Sequence, residues 1–246
     1  MATPASTVAP GWTELEAGVE WDRYADRTRG GQAPVLLKIG LAPRVQLSLM
    51  GFGVVAPGGA GRGIGDVSAG VKWRFVERTR VGGDLAILPS IKLPTGSVAR
   101  GTGTGTTDVE LLLISSRTIH GIDIDLNAAY WRRTGNGTTA PKESALWTSS
   151  YAGQPWGEVG WTAELFGYPS LETSTDSIVA VLVGPTWEAR KFLIFDTGVI
   201  APPAGLQPRA VYAGMTWNMG RLWAARADPA AAHIALPVAA GRGRVR

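Results

Sequence analysis

The sequence has 246 residues and no cysteine, which excludes a disulfide framework, a zinc–thiolate site and a thiol nucleophile. It has two histidines, His120 and His233, far apart and without ligand spacing. A histidine-based metal site or a Ser/His/Asp nucleophile is therefore not expected. Charged residues make up only 18% of the chain. The longest apolar runs, such as 178–183, fall far short of the roughly 18 residues a membrane helix needs, so spanning by α-helices is excluded. No convincing amphipathic helix is present. Residues 1–10 lack the basic and apolar regions of a signal peptide, so none is read in this sequence.

The hydrophobic content, 45%, is too high for a disordered chain, and glycine (33) and tryptophan (10) are abundant. The net charge of +4 belongs to residues 220–246, where Arg221, Arg226, Arg242, Arg244 and Arg246 face only Asp228. Residues 1–219 are then neutral, so no basic stripe suggests a nucleic-acid partner. The chain divides into an N-terminal extension (1–11), a β region (12–219) and a basic Ala/Gly/Arg/Pro-rich tail (220–246) that reads as disordered.

Alternation with a period of two runs through the β region. Leu15, Ala17, Val19 and Trp21 share one face, opposite Glu14, Glu16, Glu20 and Asp22. Val67, Val71, Trp73 and Phe75 oppose Asp66, Lys72 and Arg74, and the same pattern recurs near 84–93, 122–130 and 158–166. About twelve strands are expected, near 13–23, 34–42, 44–52, 65–76, 83–94, 108–116, 121–132, 146–152, 157–166, 176–187, 191–200 and 209–219. Long connections (24–33, 53–64, 95–107, 133–145, 167–175, 201–208) alternate with short ones. That asymmetry predicts a single antiparallel up-and-down transmembrane β-barrel, with long loops on one side and short turns on the other.

The competing fold is a soluble lipocalin-like barrel, since alternation alone makes one face apolar in both. Strand length, a small and weakly charged polar face, and aromatics near strand ends favour the membrane. The expected aromatic girdle is Trp12, Trp21, Trp73, Phe75, Trp131, Trp147, Trp156, Trp187 and Trp217. The last strand has the form of a terminal signal read by the outer-membrane assembly machinery, at Tyr212, Gly214, Trp217 and Met219.

The stretch 63–75 (GIGDVSAGVKWRF) and the stretch 88–97 (LPSIKLPTGS), followed by a Gly/Thr run into Asp108, resemble the MetA-pathway of phenol degradation family of outer-membrane proteins. The resemblance implies an outer-membrane β-barrel, labelled a transporter and linked by name to aromatic catabolism. It brings no catalytic residues.

Candidate chemistry is sparse. The glycine-rich segments 58–65 and 101–105 lack phosphate-loop spacing and lead into strands rather than helices, so they read as loops. Pairs such as Asp123/Asp125 and Glu158/Glu164 could imitate glycosidase carboxylates, but they read better as part of a polar lumen. The expected lumen-lining residues are Glu14, Glu16, Glu20, Lys38, Asp66, Lys72, Arg74, Asp84, Lys92, Asp108, Glu110, Asp123, Asp125, Glu158 and Glu164. Their mixed signs argue against strong ion selectivity. In a hairpin whose facing numbers sum to 158, Arg74 meets Asp84 and Asp66 meets Lys92; Glu20 would meet Lys38 in the first hairpin.

The expected function is passage of small solutes across the bacterial outer membrane, with no catalytic residue, cofactor or metal. Membrane lipid, assembly machinery and a small-molecule solute are the expected partners. A non-transporting surface-interaction barrel and a soluble small-molecule binder are the alternatives.

Overall fold

The computed structural model describes residues 2–24, 26–55, 61–79, 83–134, 142–168, 178–203 and 209–224. The expected tail falls almost wholly outside them, as does His233. Thirteen strands occur: β1 (Trp12–Arg23), β2 (Arg29–Ala42), β3 (Val45–Val55), the short β4 (Arg62–Ile64), β5 (Val67–Thr79), β6 (Gly83–Leu93), β7 (Asp108–Ile119), β8 (Ile122–Arg133), β9 (Glu143–Trp156), β10 (Val159–Tyr168), β11 (Ile178–Arg190), β12 (Leu193–Ala201) and β13 (Arg209–Arg221). Each long strand pairs antiparallel with its chain neighbours, β3 passing over β4 to β5, and β13 returns to β1. The result is a closed barrel in which each of the twelve long strands is paired on both sides. β4 is a spur folded back on the end of β3.

The two faces have opposite polarity. Val19, Trp21, Val71, Trp73, Leu113, Val183 and Val211 are exposed on the outside. The buried inner face carries the charged and polar groups Lys38, Gln46, Lys72, Asp108, Asn127 and Glu164, together with apolar clusters around Leu112 and Ile114 and around Phe166, Leu182 and Tyr212. Water outside would make this arrangement unstable, whereas acyl chains outside make it the expected one.

The turns are tight where the sequence allows. β7 and β8 join through His120 and Gly121, with φ of 50° and 82°, the two positive values a two-residue hairpin turn requires. The first long connection is shorter than expected. β2 begins at Arg29 rather than near residue 34, because Gly30, Gly31 and Gln32, turn-like in composition, pair with Asp22, Trp21 and Glu20. The Tyr24–Thr28 loop closes on itself through Tyr24 N–H to Thr28 O (3.0 Å) and Arg27 N–H to Tyr24 O (3.0 Å).

The N-terminal extension turns into the barrel. Gly11 N–H donates to Gly40 O at 2.8 Å, and the chain then crosses the interior from β2 toward β8. Gly40 is required at the entry: a Cβ there would stand 2.1 Å from Ala9 O. An extended segment inside a barrel has no strand partner, so its amides need side-chain acceptors. The wall supplies them. Val8 N–H donates to Gln46 Oε1 (2.9 Å), Ala5 N–H to Ser116 Oγ (2.7 Å) and Thr3 N–H to Asn127 Oδ1 (2.8 Å), and Asn127 Nδ2 returns a bond to Thr3 O (3.0 Å). Pro4 has no N–H to satisfy. Ala5 is completely buried against Ala86, Leu112, Ile114 and Ala129.

Candidate functional site: the barrel lumen

Polar side chains gather at several levels of the lumen, while Phe166, Ala180, Leu182 and Tyr212 form an apolar cluster on the β10–β13 wall. At the long-loop end, the β6–β7 connection folds onto Asp66. That carboxylate accepts from Gly96 N–H (3.0 Å), Thr104 N–H (2.9 Å), Thr104 Oγ1–H (2.8 Å) and the Lys92 ammonium (3.0 Å). Lys92 also reaches Asp108 Oδ2 at 2.9 Å, and Arg133 stands 3.8 Å from the same oxygen. Thr102 and Thr106 are buried, so this connection narrows the opening.

Below it, Ser68, Ser90, Lys92, Asp108, Glu110 and Trp131 line a cavity of about 130 Å³. Ser90 Oγ–H donates to Glu110 Oε2 at 2.9 Å, and the Trp131 side chain also hydrogen-bonds to Glu110. Among the described residues no cation pairs with Glu110.

At the short-turn end, Lys72 is 1% exposed and holds the N-terminal segment. Its ammonium donates to Pro4 O (2.8 Å), Thr3 Oγ1 (3.1 Å) and Ser6 O (3.3 Å). On the neighbouring wall Lys38 bridges Glu14 (2.9 Å) and Glu16. A charge so enclosed needs such partners, since an unpaired one costs several kcal/mol.

Most expected lumen residues lie on the inner face: Glu14, Glu16, Glu20, Lys38, Asp66, Lys72, Arg74, Asp84, Lys92, Asp108, Glu110, Asp123, Asp125 and Glu164. Glu158 does not. It occupies the exposed β9–β10 turn, because β9 runs on to Trp156 and leaves only residues 157–158 between the strands. Asp22 and Asp196 are inner-face carboxylates outside the expected set. Inner-face carboxylates thus outnumber the cations Lys38, Lys72, Arg74, Lys92 and Arg133 by more than two to one. The signs are mixed, as expected, but acids predominate because most arginines sit on rims, turns and the tail.

The β5–β6 ion pairs form with a different register. Facing numbers sum to 160, so Lys92 faces Ser68 directly and reaches Asp66 on the diagonal. Arg74 reaches Asp84 likewise, at 3.2 Å. The expected Glu20–Lys38 pair is absent: Lys38 faces Glu14, and Glu20 instead accepts from Gln32 Nε2 (3.1 Å). The early start of β2 causes this slip.

The aromatic residues divide by end. Trp73, Phe75, Trp156, Trp187 and Trp217 are exposed near the short turns, Trp187 stacking on Phe195 at 5.9 Å between ring centroids. Trp21 and Trp147 are exposed toward the long loops, and Trp12 is half-buried at the start of β1. Trp131 is a correction. It faces the lumen, because it pairs directly with Glu110, an inner residue of β7. Strand-end position marked it as a girdle residue, yet the alternation from Asp125 through Asn127 and Ala129 already placed it inside. In β13, Gly214 faces inward against Asp196, Tyr212 is buried inside, and Trp217 and Met219 face out.

Sequence reasoning missed Gln46, Ser116 and Asn127 as holders of the N-terminal segment. Each is a polar residue in inner-face phase, which was legible; what it would bind was not. Among the described residues no group of three or more His, Asp or Glu could hold a metal ion.

Solved structures with a similar fold include an outer-membrane channel and two porins. The COG4313 outer membrane channel from Pseudomonas putida F1 superposes with a TM-score of 0.66 at 12% identity, covering 88% of this chain and 99% of that one. The KdgM porin in complex with disordered oligogalacturonate gives 0.56 at 11% identity, over 84% and 99%. The NanC porin gives 0.54 at 7% identity, over 84% and 100%. No curated protein matches the chain. Residues 2–189 match one family, and this chain therefore belongs to the family described as "Putative MetA-pathway of phenol degradation".

Proposed function

We propose that this protein is a bacterial outer-membrane barrel through which small solutes pass, and that it performs no chemistry. The observation that carries this reading is the inverted polarity: Lys72 is 1% exposed inside, while Trp21 and Trp156 are 57% and 68% exposed outside. Only a hydrocarbon surround accommodates both. Long loops at one end and short turns at the other fit the external and periplasmic sides of such a barrel. The strand count lies between eight, which fills the interior, and sixteen to eighteen, which opens an aqueous channel.

The β6–β7 connection and the N-terminal segment narrow the passage further. The cavity beside Trp131 and Glu110 then serves as a resting place for a solute of roughly six-membered-ring size. An aromatic solute is suggested by the family description, and the Trp131 wall suits one. The final strand is the segment the assembly machinery would read.

The test is solute-driven swelling of liposomes holding the full chain or a form lacking residues 2–9. The expected result is slow swelling with the full chain and faster swelling with the deletion. Absence of swelling in both contradicts the reading. It would favour the second one, a non-transporting barrel, which draws on the N-terminal segment held inside the lumen by Gln46, Lys72, Ser116 and Asn127. The soluble-binder reading needs a polar exterior, whereas here large apolar side chains cover the outside and the buried charges Lys38, Lys72 and Glu164 lie inside.

A further inference from the structure

Three arginines stand side by side on the outer face, at the long-loop rim. Register pairs Arg23 of β1 directly with Arg29 of β2 on one side and with Arg209 of β13 on the other. All three are exposed. They point outward, in phase with Trp21, Val35 and Val211. Directly opposed residues on neighbouring strands lie about 4.5–5.5 Å apart at Cα, and like charges so placed repel. Among the described residues none of the three forms an ion pair. The adjoining connections do not supply the missing charge. Residues 24–28 add Arg27 and a single acid, Asp26, and both Thr28 N–H (2.9 Å) and Thr28 Oγ1–H (2.7 Å) donate to Asp26. Residues 202–208 contain no acid. The nearby carboxylates of β1, Glu20 and Asp22, face the lumen.

A row of unneutralised guanidinium groups just above an apolar belt calls for an anion at the membrane interface. From this we infer that Arg23, Arg29 and Arg209 form a binding site for the phosphate groups of the outer leaflet's phosphorylated glycolipid. Each guanidinium presents a planar fork that matches a phosphate bidentately, better than an ammonium does. Trp21, 57% exposed and two residues below Arg23, lies where the first acyl chain would run. The inference rests on the outer-membrane reading above for which leaflet the long loops meet.

The experiment is native mass spectrometry of the detergent-solubilised full chain titrated with bis-phosphorylated lipid A. The same glycolipid without phosphates and free inorganic phosphate serve as comparators. Folding of each sample is checked by heat-modifiable gel mobility. The expected result is retention of the bis-phosphorylated lipid, about tenfold weaker binding of the dephosphorylated form, and a similar loss in the R23Q/R29Q/R209Q variant. Equal binding of both lipids by the native chain overturns the inference and needs no variant. Full displacement by millimolar inorganic phosphate also overturns it, since the site would then be one for free phosphate. A chain that folds without detergent would instead contradict the membrane reading itself.

Discussion

Lys72 and Lys92 show how single charges are kept inside this barrel. Lys92 stands between Asp66 and Asp108 and so ties the β6–β7 connection to the wall. Removing its ammonium leaves two carboxylates facing each other in an enclosed space. Lys92→Ala is expected to cost on the order of 3 kcal/mol, measured as a lowered urea midpoint of the folded band. Lys72 differs, because its direct partners are neutral oxygens of the N-terminal segment. Lys72→Met should therefore free that segment more than it destabilises the strands. The expected readout is a several-fold rise in single-channel conductance with little change in the urea midpoint. Unchanged conductance would mean that the segment stays without its clamp. Residue-level charge pairing was partly legible in the sequence: spacing put Asp66 near Lys92 and Arg74 near Asp84. The register itself was not, because irregular pairing near residues 74–79 and the early start of β2 depend on tertiary contacts.

Among the elements, the strands were the most legible. A period of two needs only local sequence, and it marked twelve strands with their greasy and polar faces. Trp131 was misassigned where strand-end position was weighed above alternation. The N-terminal extension was the least legible element, since ATPASTVAP has no periodicity and is fixed only by Gln46, Ser116, Asn127 and Lys72 on distant strands. Gly40 gives a test that leaves the segment's own sequence intact. In Gly40→Val the new Cβ would collide with Ala9 O, so the segment is expected to leave the lumen and conductance to approach that of the form lacking residues 2–9. Conductance equal to the native chain would show that the segment enters by another route.

For the whole molecule, the acid-rich inner face predicts preference for cations. A potassium chloride gradient across a bilayer holding the protein should give a reversal potential of the cation-selective sign. A reversal potential of the opposite sign would contradict the lumen assignment. On the outside, Val183→Arg, midway along β11, is expected to cost about 2–4 kcal/mol on refolding into lipid, and Trp187→Arg near the short turns about 0–1 kcal/mol. Equal costs would argue against a hydrocarbon belt.

The central claim, an apolar outer face with the buried charges turned inward, can be read directly because the chain has no cysteine of its own. Single cysteines placed in turn at positions 179–187 of β11 can carry a nitroxide in the lipid-reconstituted protein. Collision rates are then measured with lipid-soluble oxygen and with a water-soluble nickel complex. The account predicts that odd positions, led by Val181 and Val183, favour oxygen, and that Leu182 and Gly184 between them do not. Nickel collisions dominating at the odd positions, or no alternation at all, would contradict it.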